Sequence, residues 1–289
     1  MNDPSTASQS LSFPEYVGRS EHASGKVLAA PLELMAALLN RTFDEMTLSG
    51  AVPPLWHWMF LQKPVPQSQI GPDGHPKRGG LIPPIPLPRR MFAGGRVRFS
   101  EPLFVDDPIE RTTTIKSIAP KSGRSGTLLF VTLAHEIRGP RGVSVSEDQD
   151  LVYRDAPPNA GPAKAQPLEP DRGQPAGFAT VETLRPDPVL LFRFSAATGN
   201  SHRIHYDADY VRNEEGYPNL VVHGPLQAIL LADLATRYLK RPLKTFEFRA
   251  LKPIYLGSPL YCAAKDEAGK VMLQTMDGVH DACMSATAT

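Results

Sequence analysis

The sequence is poor in cysteine, in long apolar runs and in any excess of charge of one sign. Its two cysteines, Cys262 and Cys283, stand apart with no Cys-x-x-Cys and no His-Cys spacing suited to zinc. A disulfide framework and a structural zinc site are therefore not expected. Basic residues number 31 against 30 acidic ones, a net charge of +1. That balance offers no electrostatic footprint to nucleic acid or to an anionic membrane, so neither is an expected partner. No stretch reaches the ~20 apolar residues that span a bilayer. The longest apolar region, Leu220 to Ala235, is interrupted by His223, Gln227 and Asp233. The polar segment Met1 to Ser10 lacks the basic-then-apolar layout of a signal peptide, so a reduced, cytoplasmic setting is expected.

Proline, in contrast, is abundant: 30 of 289 residues, where ~5% is usual. The prolines concentrate in Pro64 to Pro88 and from Asp155 to about Gly177. The second stretch has almost no large apolar side chains with which to join a core. Residues 156–178 thus read as a linker between a unit over 1–155 and a unit over 179–289. A chain this long exceeds one ordinary core, which fits two units.

The two halves echo each other. Val97-Arg-Phe-Ser-Glu-Pro-Leu-Phe-Val-Asp-Asp-Pro108 matches Phe248-Arg-Ala-Leu-Lys-Pro-Ile-Tyr-Leu-Gly-Ser-Pro259 at a constant offset of 151 residues. Two aligned prolines with apolar residues between them indicate a duplication. Each copy reads as strand, turn, strand, because Phe246 and Phe248 alternate with Thr245, Glu247 and Arg249, as Gly95, Val97 and Phe99 alternate with Arg96 and Arg98. Further strands are expected at Thr127–Ile137, Asp148–Arg154, Lys270–Met276 and about Asp281–Ala286.

One clear helix is expected from Pro225 to about Lys240. Proline is favoured in the first helical turn, and Leu226, Ile229, Leu230 and Leu234 recur at helical spacing. With alanines and Leu231 between them, its first two turns are apolar all round, so other structure must wrap it. A weaker helix is expected over Pro31–Phe43. A sheet curled around a buried helix is the hot-dog arrangement. Two copies make the expected fold class α+β, a double hot-dog.

The chemistry-bearing residues converge after Phe194. Thr198-Gly-Asn-Ser-His-Arg-Ile-His205 carries two histidines, an asparagine and an arginine, and Tyr206 and Asp207 follow. Leu220-Val-Val-His-Gly-Pro-Leu226 then places Gly224 at the mouth of the apolar helix. The first N–H groups of a helix have no partner within it and can donate to a developing oxyanion. Glycine lets a substrate carbonyl approach the backbone closely.

This segment resembles the MaoC-like, R-specific enoyl-CoA hydratase family, whose signature reads Thr-Gly-Asp-x-Asn-Pro-x-His with an apolar pair and His-Gly downstream. Thr198, Gly199, His205, His223 and Gly224 stand at matching positions. Asn200 replaces the usual aspartate, His202 the asparagine and Arg203 the proline. These departures are similar to the 3-hydroxyacyl-thioester dehydratase and mesaconyl-C4-CoA or itaconyl-CoA hydratase subgroup, through Asn200-Ser-His-Arg-Ile-His-Tyr-Asp207 and Tyr217-Pro-Asn-Leu-Val-Val-His-Gly-Pro-Leu226. In the N-terminal half, Gly71-Pro-Asp-Gly-His-Pro-Lys-Arg-Gly-Gly80 and Pro86-Leu-Pro-Arg-Arg-Met-Phe-Ala-Gly-Gly95 fit the same subgroup.

The resemblance implies a hydro-lyase that adds water to an α,β-unsaturated acyl-CoA, or removes it, without a cofactor. His205 is the implied general base, an imidazole poised near neutral pH. Asn200 can orient the water but not take up a proton. Proton delivery to the α-carbon must then come from His205 itself or from another group, for which His202 and Asp207 are the nearest candidates in sequence. Gly224 is implied as the oxyanion donor, and His223 either contacts substrate or pins the loop before the helix.

An arginine in an apolar pocket needs an anion. Arg203, or the pair Arg89-Arg90, is expected to hold a distal carboxylate, which favours C5 dicarboxylyl thioesters that yield citramalyl-CoA. Lys77 and Arg78 either meet CoA phosphates or form a solvated turn. The N-terminal unit has no Thr-Gly-Asn-x-His-x-x-His loop and is read as a degenerate copy that helps bind CoA. Fatty-acyl dehydration, thioester hydrolysis and non-catalytic acyl binding remain open, as does self-association. His202, His205 and Asp207 are donor types for a metal, but their loop spacing marks no site and none is expected.

Overall fold

The computed structural model describes residues 11–123, 126–155 and 170–289. Ten strands form one antiparallel sheet: β1 (Ser20–Lys26), β2 (Arg89–Phe99), β3 (Pro108–Gly123), β4 (Gly126–Gly139), β5 (Gly142–Arg154), β6 (Thr180–Leu184), β7 (Thr245–Ala250), β8 (Leu260–Glu267), β9 (Lys270–Met276) and β10 (Ala282–Ala288). Their order, β1-β3-β4-β5-β2-β7-β10-β9-β8-β6, keeps the strands of each half together and joins the halves at β2 and β7. The helices are α1 (Ala29–Leu38), α2 (Phe43–Met46), α3 (Pro188–Thr198), α4 (Ala208–Asn213) and α5 (Gly224–Leu239).

The duplication is written into the sheet's centre. At the β2–β7 seam Arg96 lies opposite Glu247, its own counterpart at the 151-residue offset. The pseudo-twofold axis therefore passes through that pair. Phe246 and Phe248 are buried while Glu247 and Arg249 face solvent, as the alternation requires. The fold is the expected α+β double hot-dog.

Helix α5 lies along β7, β8, β9 and β10. Leu226, Ala228, Ile229, Leu231, Ala232, Leu234 and Ala235 are all buried in this contact. Each fully buried Leu or Ile contributes ~1.5–3 kcal/mol, which compensates for a helix with almost no polar face.

The N-terminal half departs from the expected symmetry. Helix α1 ends at Leu38 and packs chiefly against α3 and α2, not along its own strands as α5 does. The side chains beneath explain this. Glu147 pairs with Val97 as Ala286 pairs with Phe248, so a carboxylate stands where the other half has a small apolar residue. Such a position cannot lie under an apolar helix unless its charge is satisfied. Here His57 Nε2 meets Glu147 Oε2 at 2.9 Å and Trp58 Nε1 donates to the same oxygen at 2.9 Å. His57, Trp58 and Glu147 border a cavity of about 1580 Å³. Most of the expected linker, 156–169, lies outside the described residues. The irregular residues that follow are tied to the C-terminal half, Asp171 accepting from the Tyr261 hydroxyl at 2.6 Å.

Candidate active site

The motif is positioned by a helix that its own sequence starts and stops. Asp187 caps α3 by accepting from the Leu190 N–H, with Pro188 in the first turn and Gly199 ending the helix in a left-handed conformation. Val189 and Phe192 are exposed on α3, which blurs its apolar periodicity and hid it from sequence reading. Beyond Gly199 the chain turns through Asn200, whose Oδ1 accepts from the His202 N–H at 3.1 Å. Its amide nitrogen is left to act as a donor toward the cavity it borders.

His205 is held in one tautomer. Its Nδ1 lies 2.7 Å from the Val221 carbonyl, which can only accept, so the proton is on Nδ1 and the lone pair on Nε2. Burial pushes its pKa down to about 4, against which the bond to Val221 works. His223 stacks on this ring with centroids 3.6 Å apart and 20° between planes. The Ser195 hydroxyl lies 2.9 Å from His223 Nε2. His223 is fully buried, does not border the cavity and backs the His205 ring.

Gly224, the first residue of α5, does border the cavity. A Cβ there would stand 3.1 Å from the Phe92 ring, so the backbone is approachable only because the side chain is absent.

The N-terminal half supplies the opposite wall. The turn Gly71-Pro-Asp-Gly-His75 docks on the motif through Arg203 N donating to Asp73 O (2.9 Å) and Arg203 Nη1 donating to Pro72 O (3.0 Å). Gly74 has φ +91°, and a Cβ there would fall 1.9 Å from Ser201 O, so only glycine fits. The docking places the His75 ring 4.2 Å from that of His202, which is 5.6 Å from that of His205. His75 Nδ1 binds Asp73 Oδ2 at 3.0 Å. Burial would raise the Asp73 pKa, but the bonds from His75 hold it at about 2. Burial, with His75 and His205 beside it, pushes His202 down to about 2. Neither Asp73 nor His75 stood among the sequence-derived candidates. Their signal was the Pro-Asp-Gly-His turn itself, and nothing in the chain order linked it to residue 202.

Position sorts the remaining expected site residues, of which Lys77, Arg78, Arg89 and Arg90 border the cavity. Arg203 does not line the cavity: Nη2 donates to Asp207 Oδ2 at 2.7 Å and its guanidinium lies 4.1 Å from the Tyr210 ring centre. Asp207 also lies outside the cavity lining and caps α4 through the Tyr210 N–H. Arg89 is buried and paired with Glu215, Nε to Oε2 3.3 Å, which neutralises it. Arg78 spends its donors on the carbonyls of Ile85, Leu87 and Pro88, bracing the proline-rich loop, and Lys77 donates to Ser68 O. Arg90 borders the cavity and acts on the charge of both His75 and His202. Among the described residues it meets no carboxylate within ion-pair distance.

Comparison with known proteins identifies the family. Residues 55–256 match the family model described as hydroxyacyl-thioester dehydratase type 2. The chain is 43% identical over 278 residues to the mesaconyl-C(4)-CoA hydratase of Chloroflexus aurantiacus, covering 96% of this chain and 98% of that one. Among solved structures it is similar to a MaoC-like dehydratase from Phytophthora capsici (TM-score 0.65, 14% identity, 94% of this chain and 95% of that chain). It is also similar to a Mycobacterium tuberculosis protein described as a double hotdog fold (TM-score 0.51, 14% identity, 94% and 95% covered). The chain belongs to the hydroxyacyl-thioester dehydratase type 2 family.

Proposed function

We propose that this protein is a hydro-lyase that adds water across the double bond of an α,β-unsaturated acyl-CoA, with a C5 dicarboxylyl thioester of the mesaconyl-C4-CoA class as its substrate. The observation that carries the reading is the His205 tautomer. A neutral imidazole presents its Nε2 lone pair in a cavity that also holds the N-terminus of α5. His205 takes a proton from water as oxygen bonds to the β-carbon. The Gly224 N–H stabilises the negative charge that reaches the thioester oxygen, a contribution worth ~3–4 kcal/mol for one such donor. Asn200 orients the water through its amide N–H.

Arg90 supports the dicarboxylyl class, because it borders the cavity, acts on the charge of His75 and His202, and meets no carboxylate within ion-pair distance among the described residues. The likeness to mesaconyl-C(4)-CoA hydratase supports the same choice. The same machinery run in reverse dehydrates a 3-hydroxyacyl thioester, the direction that the family's description names.

The test is incubation of the purified protein with crotonyl-CoA, mesaconyl-C4-CoA and itaconyl-CoA. Loss of enoyl absorbance without release of free thiol is the expected result, fastest with a dicarboxylyl substrate. Thiol release would identify a thioesterase instead, and no change in either signal would leave an acyl-binding protein.

A further inference from the structure

We propose that His75, oriented by Asp73, is the second acid–base residue of this site, supplied by the N-terminal half in place of the aspartate missing at position 200. The assignment rests on the hydratase reading above. It answers a chemical need: hydration requires a proton at the α-carbon, and an asparagine side chain cannot deliver one.

The geometry supports the role at three points. Asp73 Oδ2 fixes the proton of His75 on Nδ1, which turns the Nε2 lone pair outward, the same orienting service a carboxylate gives histidine in hydrolase triads. His75 and His202 bring their nitrogens, with an Asp73 oxygen, within 4.8 Å of one another. His202 in turn stands edge-on to His205. All these residues except Asp73 are imidazoles bordering one cavity, and none of their remaining ring nitrogens has a hydrogen-bond partner among the described residues. The two halves are bolted together at this spot by Arg203 and Ser201, so the turn carrying His75 is held against the motif.

The step balances with no added reagent. The imidazoles begin neutral. As the water oxygen bonds to the β-carbon, one O–H bond breaks and its proton goes to His205 Nε2, while the π pair shifts onto the thioester oxygen. His205 returns that proton to solvent, and His75 Nε2 takes one up from solvent, the Asp73 carboxylate offsetting the positive charge. The enolate then takes that proton at the α-carbon, which restores the carbonyl and a neutral His75. The net change is the oxygen and two hydrogens of one water added across the double bond, with both imidazoles neutral again.

Isotope exchange separates the two histidines. In D2O, His205→Gln is expected to lose hydration by 10²- to 10⁴-fold yet still exchange the α-proton of the 3-hydroxyacyl product. His75→Gln is expected to lose that exchange and at least 10²-fold in kcat, with KM and melting temperature within about twofold and a few degrees of wild type. Asp73→Asn should fall between the two in exchange rate, and Asp73→Glu should recover part of it. Wild-type exchange in His75→Gln, with hydration intact in the wild-type protein, overturns the assignment of His75 alone. Wild-type protein that hydrates none of the thioesters overturns the hydratase reading and this assignment with it. Stoichiometric bound divalent metal, removed by chelator together with activity, also overturns it, because His75 would then be a ligand.

Discussion

The imidazoles of His205 and His223 are stacked face to face, 3.6 Å between centroids, in a place where neither ring can readily be charged. His223 is fully buried and its pKa lies well below the ordinary value, first because of burial and then because of His205 and His202. Burial disfavours the charged form of each ring. That keeps the lone pair of His205 available as a base, and it also ties the stability of the fold to pH.

The sign follows from linkage. His205 titrates near 4 when folded and near 6.5 when unfolded, so between those values the unfolded chain binds the extra proton. The stability it supports is complete above pH ~6.5 and is lost as pH falls toward 4, amounting to about 2 kcal/mol at pH 5. Melting curves at pH 7 and pH 5 should show a drop for the wild type. The drop should be smaller for His205→Gln, and an equal drop in both would refute the linkage.

Arg90 and Arg203 should separate cleanly in kinetics. Arg90→Ala is expected to lose 10- to 100-fold in kcat/KM for mesaconyl-C4-CoA, the worth of one charged hydrogen bond, with little change for crotonyl-CoA. Arg203→Ala loosens the Pro72–Asp73 turn, so it should slow both substrates by a similar factor. Selective loss in Arg203→Ala, with Arg90→Ala indifferent, would reverse the two roles.

Gly74→Ala tests whether the two halves must touch for activity. The added methyl would overlap Ser201 O at a backbone angle that only glycine adopts freely. The turn must then lift from the motif, and activity should fall by at least 10²-fold. The turn contributes no side chain to the apolar core clusters, so the melting temperature should change by only a few degrees. A variant of normal activity would show that the docking is dispensable.

The buried pair in the N-terminal half should matter for folding more than for chemistry. Burial would raise the Glu147 pKa, but His57, His135 and Trp58 together hold it below the usual carboxylate value. His57→Ala leaves that carboxylate in the interior without its closest partner, a change that costs about 3–5 kcal/mol. A fall in melting temperature of roughly 10 °C is expected by calorimetry. Glu147→Gln in the same background should recover part of the loss, because it removes the charge that lacks a partner.

Much of the architecture is local and so legible in the chain. The period-2 alternation at Thr245–Ala250, the apolar run behind Pro225 and the repeated Pro-x5-Pro spacing each report which face is buried, and the duplication shows that the pattern occurs twice. His205, Gly224 and Asn200 were equally visible, since a loop and the helix after it lie close in sequence. Long-range neighbours were not. Arg203 reads as a substrate-binding cation until Asp207 and Pro72 are seen to occupy it, and Asp73 and His75 read as an ordinary turn until the fold sets them against His202, across more than a hundred residues of chain. Sequence by itself determined the repeat, the apolar helix α5, the central strands and the candidate base. Only the tertiary structure decided which charges are spent on the protein's own framework and which remain for a substrate, because pairing between distant residues depends on how the two halves meet at β2 and β7.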